Sequence, residues 1–577
     1  MRVHRRNTGP IITLKFLGLS ALLVFGIVSL QPLSAEPLQG KLAATVHNLT
    51  PGGPGTVRAS QNAGLCVFCH TPHNAKPSRG LWNRQLPGVT YDLYQSSSLR
   101  AETRQPTGSS RLCLSCHDGI LAMGNIRQQG ANRSFSIGRM QTPASLGTDL
   151  SDDHPVSVTY DSALALRQGQ LLDPHLLTPA TPLDPNQQLQ CSTCHDPHDN
   201  INDHFLRVDQ RYGNLCLTCH ELPFWEDSSH ATSPASWNGS GNNPWPVGGY
   251  ATVAENACLN CHRPHAAGHP ERLLAQAQES ENCTNCHDAS VAQKDVRSQF
   301  DKAFHHPVET DQWRHQPREL PTTMPRHVSC TDCHNPHAAT SGSESALLVS
   351  GSQRGVSGVS IAGNNRLVAE FKYEVCLKCH GLREPQTEGI LRQDSSRNIR
   401  IKIDPGNASF HPIAAPGKNP DIQGLNPQYT SASQIDCSDC HTDDEDSPGS
   451  SAPSGPHGSN NEFILARAYQ VQDPGIESFA DYALCYGCHD RATLLSGNGF
   501  PHQEHLVEEN APCAVCHDAH GSRDNPALIN FMLRTSLGAP VVAPSDSGRL
   551  EFIAEPAGGS GSCSLSCHGE NHEDRSY

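Results

Sequence analysis

The sequence predicts a chain of mostly irregular coil, pinned by short helices and few short strands around a core that side chains do not make. Three observations predict it. Hydrophobic residues are only 36% of the 577 and aromatics 5%, too little apolar volume for ordinary domains over this length. Forty-seven glycines and 43 prolines interrupt the chain too often for long helices or sheets. All 24 cysteines fall in twelve pairs, and a histidine follows each pair at once.

The short helices are expected at these pairs. The first is Cys66-Val-Phe-Cys69-His70. The same Cys-x-x-Cys-His pattern recurs at Cys113, Cys116 and His117; Cys191, Cys194 and His195; Cys216, Cys219 and His220; Cys258, Cys261 and His262; and Cys283, Cys286 and His287. It returns at Cys330, Cys333 and His334; Cys376, Cys379 and His380; Cys437, Cys440 and His441; Cys485, Cys488 and His489; and Cys513, Cys516 and His517. A twelfth, Cys563, Cys567 and His568, has one extra residue between its cysteines, which a bulged turn would accommodate. Two cysteines three apart lie on one side of a helical turn and reach both vinyl groups of one porphyrin edge, while the next residue reaches the iron. The motif is that of covalent haem c attachment. Zinc ribbons and disulfides also use paired cysteines, but neither explains a histidine in twelve positions out of twelve when only 33 residues are histidine. About twelve haems stacked as the core would supply the missing apolar volume, and a chain of this composition should be largely unfolded without them.

Residues 1–35 read as a secretory leader: Arg2, Arg5, Arg6 and Lys15 precede an apolar run from Phe16 to Leu30, and small residues end at Ala35. An uncleaved anchor is the alternative, though the run is short for a full span. Cleavage would leave 38 basic against 58 acidic residues, a net charge of −20. Such a surface disfavours nucleic acid and suits basic redox donors and acceptors, or cationic and mineral electron acceptors such as soluble metal or metal oxide. The expected location is beyond the cytoplasmic membrane: periplasmic, outer-membrane-associated or extracellular.

The rest divides into six dihaem units, 36–140, 141–225, 226–298, 299–400, 401–498 and 499–577. Each has a leading histidine, a first motif followed by a Pro-His or Ala-His element, and a second motif without one. In unit five an acidic, serine-rich insertion at 442–454 displaces that element to Pro456-His457. Alternation at 366–373 and 549–554 predicts strands, whereas 232–250 and 540–562 read as loops. The tryptophans Trp82, Trp225, Trp237, Trp245 and Trp313 read as haem-packing residues.

Each motif histidine leaves one face of its iron to be filled. Only Met123, Met140, Met324 and Met532 follow the leader, so bis-histidine ligation should dominate, which lowers the potential relative to a thioether ligand. His73 lies three residues after His70, a tether too short to pass round the porphyrin edge, so it should ligate a neighbouring haem. The same holds for His198, His265, His337 and His520. With His457 and the leading histidines His47, His154, His230, His306, His411 and His505, the units supply twelve distal ligands. Of the remaining His175, His204, His269, His305, His315, His327, His502 and His572, the substitutes are His305, His502 and His572.

Cys-Val-Phe-Cys-His-Thr-Pro-His, Leu-Cys-Leu-Ser-Cys-His-Asp-Gly at 112–119, Asp-Asp-His-Pro-Val and the closing Cys-Ser-Leu-Ser-Cys-His-Gly carry a family resemblance. The chain resembles the doubled-CXXCH multihaem c-type cytochromes, a cytochrome c3-like group related to the decahaem electron conduits of metal-respiring bacteria. The resemblance implies single-electron transfer across the periplasm, through an outer-membrane porin or outside the cell, sometimes as a polymer of one chain. An enzyme with one open-face haem is the alternative, with the motifs at Cys437 and Cys563 as the open sites; a filament-forming subunit is another.

Overall fold

The computed structural model describes residues 38–577 except 62–63, 72–79, 125, 127–136, 141–142, 246–248, 310–318, 321–322, 326, 342–346, 382–388, 420–421, 447–449, 451, 498 and 556–560. The leader, His73, His315 and Trp313 lie outside the described residues.

Backbone hydrogen bonding stays local. The longest described helices are Gly108–His117 and Lys372–His380, of 10 and 9 residues, and both end on a Cys-x-x-Cys-His motif. The other nine such motifs are single turns in which the histidine N–H donates to the carbonyl of the first cysteine at 2.8–3.0 Å. Several turns start on side chains that occupy their free N–H groups. Asp332 accepts from Ser329 N–H at 2.7 Å and Asp439 from Asp436 N–H at 2.8 Å, each closing a capping box.

Sheets are two-stranded except at the C-terminus. Two of the small ones join consecutive units: Gly458–Ser459 pairs with Phe304–His305, and Gly521–Ser522 with Ser409–Phe410. The glycines are needed there. A Cβ on Gly458 would lie 1.9 Å from the Gln299 carbonyl oxygen, and one on Gly521 2.1 Å from that of Lys402. Gly458→Ala and Gly521→Ala are each expected to destabilise the protein by at least about 1–3 kcal/mol, because the obstructing atom is backbone and cannot rotate away; thermal melts followed at the haem absorption check this.

Side-chain cores are small. Among the described residues, six of the seven apolar clusters hold three to five buried residues. The exception is the C-terminal cluster of ten, including Val515, Phe531 and Leu565, which packs beneath a four-stranded sheet.

Two local expectations are corrected. The described part of 540–562 is not all loop: it contains the strands Val542–Ala543 and Glu551–Ala554 and enters Gly561–Cys567, because Val542, Leu550 and Phe552 reach the C-terminal core. In 366–373 only Asn365–Arg366 is strand, and Lys372 already opens a helix. There the Glu374 carboxylate accepts from the N–H groups of Glu370 and Phe371, so helix capping outweighs alternation. The expected strand at 549–554 is present as Glu551–Ala554.

Candidate haem sites

None of the 24 cysteines forms a disulfide. What the fold does is set histidine rings opposite one another, in two series.

In the first series the motif histidine that opens one unit faces the Pro-His or Ala-His histidine of the next. His70 faces His198 with ring centroids 6.1 Å apart, His195 faces His265 at 6.2 Å, and His262 faces His337 at 6.2 Å. His334 faces His457 at 6.0 Å and His441 faces His520 at 6.2 Å. These ring planes are close to parallel, 4–33° apart.

In the second series the leading histidine faces the second motif of its own unit. His47 and His117 are 6.2 Å apart, His154 and His220 6.4 Å, His230 and His287 6.3 Å, and His306 and His380 6.4 Å. These planes stand steeply, at 63–85°. His411 and His489 are also electrostatic neighbours.

The separation fits an iron atom. Two metal–nitrogen bonds of about 2.0 Å each, with roughly one ångström from each ring centre to its nitrogen, span about 6 Å. The tautomer fits as well. Nδ1 of His70, His195, His262 and His441 donates to the carbonyls of Gly80, His204, Arg272 and Phe463, each at 2.9 Å. Nδ1 of His117 donates to Ala144 at 2.9 Å and that of His334 to Ser352 at 3.0 Å. Each Nε2 is left as the ligating atom. Burial, then neighbouring histidine charge, pushes His441 and His489 down to about 4 and His337 and His457 to about 3. These rings are therefore neutral at pH 7, with a lone pair to give a metal. On His265 burial also pulls downward, but the Asp153 carboxylate 2.8 Å from Nδ1 outweighs it and raises the pKa.

The leading histidines also bind the next unit. Nδ1 of His47, His230 and His306 donates to the carbonyls of Pro197, Pro336 and Pro456 at 3.2, 2.8 and 2.7 Å, and that of His411 donates to Ala519. In each case the acceptor immediately precedes the facing histidine of the first series. His154 makes the equivalent link through its backbone N–H, to Pro264 at 2.8 Å.

Consecutive motifs also meet through their cysteines. Between units, Cys113 contacts Cys191, Cys216 contacts Cys258, Cys283 contacts Cys330, Cys376 contacts Cys437 and Cys485 contacts Cys513. Within units, Cys69 lies near Cys116, Cys194 near Cys219, Cys261 near Cys286, Cys333 near Cys376 and Cys440 near Cys488.

Sequence reasoning missed the segment that orients the first-motif histidines. His204-Phe205, Arg272-Leu273, Phe463-Ile464 and Ala527-Leu528 each put two consecutive residues at φ between 52 and 63°, a conformation disfavoured by about 1–2 kcal/mol per residue. The first of each pair offers its carbonyl to the histidine Nδ1. The following Leu206, Leu274, Leu465 or Ile529 bridges the histidine backbone. An apolar residue eleven or twelve positions after His195, His262 and His517 was the available signal.

Other histidines are placed differently from expectation. His505, expected as a distal ligand, stacks on Phe500 at 4.9 Å, with Tyr577 at 5.6 Å. His502 is the one that lies near His517, and burial followed by that neighbour's charge pushes it down to about 4. Buried His327 sits 3.2 Å from Glu319 and 3.7 Å from Asp332, away from any facing ring. Trp225 is buried at an edge-on 6.0 Å from His337, and Trp82 5.9 Å from His70, so both line histidine pairs. Trp237 instead donates to the Ser240 carbonyl and Trp245 to Asn260.

Rows of Cys-x-x-Cys-His turns, a coil wrapping with no large side-chain core, and facing neutral histidines define the class: this is a multihaem c-type cytochrome, binding haem c at its Cys-x-x-Cys-His motifs. The doubled CXXCH motif family matches residues 184–222, 251–292 and 431–494. The chain is similar to the multihaem cytochrome MtrA of Shewanella baltica (strain OS185), with 27% identity over 171 residues, 28% of this chain and 39% of that protein. It thus spans about two fifths of that relative's length.

Proposed function

We propose that the chain is an electron conduit, carrying single electrons along closely spaced, bis-histidine haems. The observation that carries this reading is the run of nine histidine pairs at 6.0–6.4 Å, which leaves no vacant face at those motifs. The sequence expectation is twelve haems; eleven motifs share one backbone turn, and the Cys563 motif stands apart from them. The proximal ligands are the motif histidines. The distal ligands are His198, His265, His337, His457 and His520 for the first motifs of units one to five, and His47, His154, His230, His306 and His411 for the second motifs. His502 serves His517. His520 facing His441 argues against the Cys437 motif as an open, catalytic site.

Contacts between each motif and the next support a wire that runs in sequence order. The haem supplies the one-electron couple; the protein positions it, sets its ligands and shields it. The leader supports export. The net charge of −20 after cleavage supports basic redox proteins or cationic acceptors as partners, at or beyond the outer membrane.

Low-temperature EPR of the oxidised holoprotein, integrated against total haem, tests this. Near-parallel and near-perpendicular imidazole planes split the iron d orbitals by different amounts, so two low-spin populations of similar size are expected. A high-spin signal of one iron per chain at pH 7 would sink the closed-wire reading.

A further inference from the structure

We infer that the twelfth motif, Cys563, Cys567 and His568, carries no haem, and that the four-stranded sheet containing it is a protein-only layer packed on the Cys513 repeat. At the other eleven motifs the backbone is a closed turn, which keeps residues three or four apart within about 5–6 Å. Here Gly561–Cys567 is a seven-residue strand, and four residues of strand separate Cys563 from Cys567 by about 13 Å. One porphyrin edge does not bridge that span.

The strand is held along both edges. On one, Phe552 pairs with Cys563 and Val542 with Cys567; on the other, Arg575 pairs with Cys563 and Glu570 with Cys567. Forming an attachment turn would break both ladders. It would also pull Leu565 from the cluster it shares with Ala514, Val515, Ile529 and Phe531, the largest side-chain core in the described residues.

His568 is engaged at the wrong atom. Its Nε2 lies 2.9 and 3.0 Å from the two carboxylate oxygens of Asp473, whereas His70, His117, His195, His262, His334 and His441 are tied through Nδ1, which leaves Nε2 to the facing ring. Among the described residues no second histidine ring faces His568, and the nearby leading histidine His505 is stacked on Phe500. The sheet instead buries Ala514 and Val515 of the Cys513–Cys516 turn under Val542 and Leu565, so this surface of the turn is covered by protein side chains.

Denaturing peptide mapping of the purified holoprotein, after reduction and alkylation, tests the assignment. The peptide spanning 561–577 is expected to carry two alkylated cysteines and no haem mass. A haem on that peptide overturns the inference, whatever the total count. The C563S/C567S variant is expected to keep the wild-type haem-to-protein ratio; loss of one haem per chain overturns it too. If that variant fails to accumulate, the wild-type peptide decides. The number of haems on the remaining peptides tests the conduit reading separately.

Discussion

His337→Ala is expected to turn one haem per chain from low-spin to high-spin and to make that haem bind carbon monoxide when reduced, while the total haem content stays at the wild-type value. His337 is buried among His262, His230 and His220, faces His262 at 6.2 Å with planes 15° apart, and stands edge-on to Trp225. Its loss opens a face on the haem of Cys258 and Cys261 without touching a thioether. Removing a strong nitrogen donor shifts that haem's potential, so an electron entering at one end meets an energetic step at the fifth site. Stopped-flow reduction should show the fast phase shortened to part of the haems and a slow phase for the rest. The exposed His175, whose N–H donates to Asp173, is the matched control: His175→Ala is expected to leave spectrum and kinetics unchanged. No new high-spin signal in His337→Ala would refute the ligand assignment across the first series.

Chain produced without covalent haem is expected to be unfolded over most of its length, with a coil-like far-UV spectrum and rapid proteolysis. Fixing each residue costs about 1–2 kcal/mol of backbone entropy, and clusters of three to five buried side chains cannot offset that over stretches of 70 to 100 residues. Buried charges add to the demand. Asp518 is held between Lys402 and Arg392, and Lys378 donates to the Asp332 carbonyl; these contacts form only when the surrounding turns are in place. The C-terminal region is the exception, because its ten-residue cluster resembles an ordinary core. Hydrogen exchange on haem-free chain should retain residual protection there and nowhere else. A cooperative thermal transition spanning the whole haem-free chain would contradict the idea that porphyrin is the core.

Haem attachment chemistry and fold class were legible from residues alone, because each attachment motif is complete within five positions and its turn is closed by one local hydrogen bond. The exclusion of a large apolar core was legible for the same kind of reason, since composition bounds how much surface side chains can bury. The sequence also suggested that a histidine three residues past a motif is placed away from that motif's own histidine, as the facing rings of different motifs now are. Which ring it faces was not legible. His198, His265, His337, His457 and His520 each face a ring 70 or more residues away in the preceding unit, and that choice depends on how two units dock through a leading histidine and the carbonyl just before the facing one. The plane angles, and the chain of cysteine contacts that orders the sites, follow from the same docking. The Cys563 motif marks the limit most sharply. Its letters differ from the others by one inserted residue, yet cross-strand pairing and the burial of Leu565 draw it into a strand, because burial over a whole sheet outweighs the turn preference of a few residues.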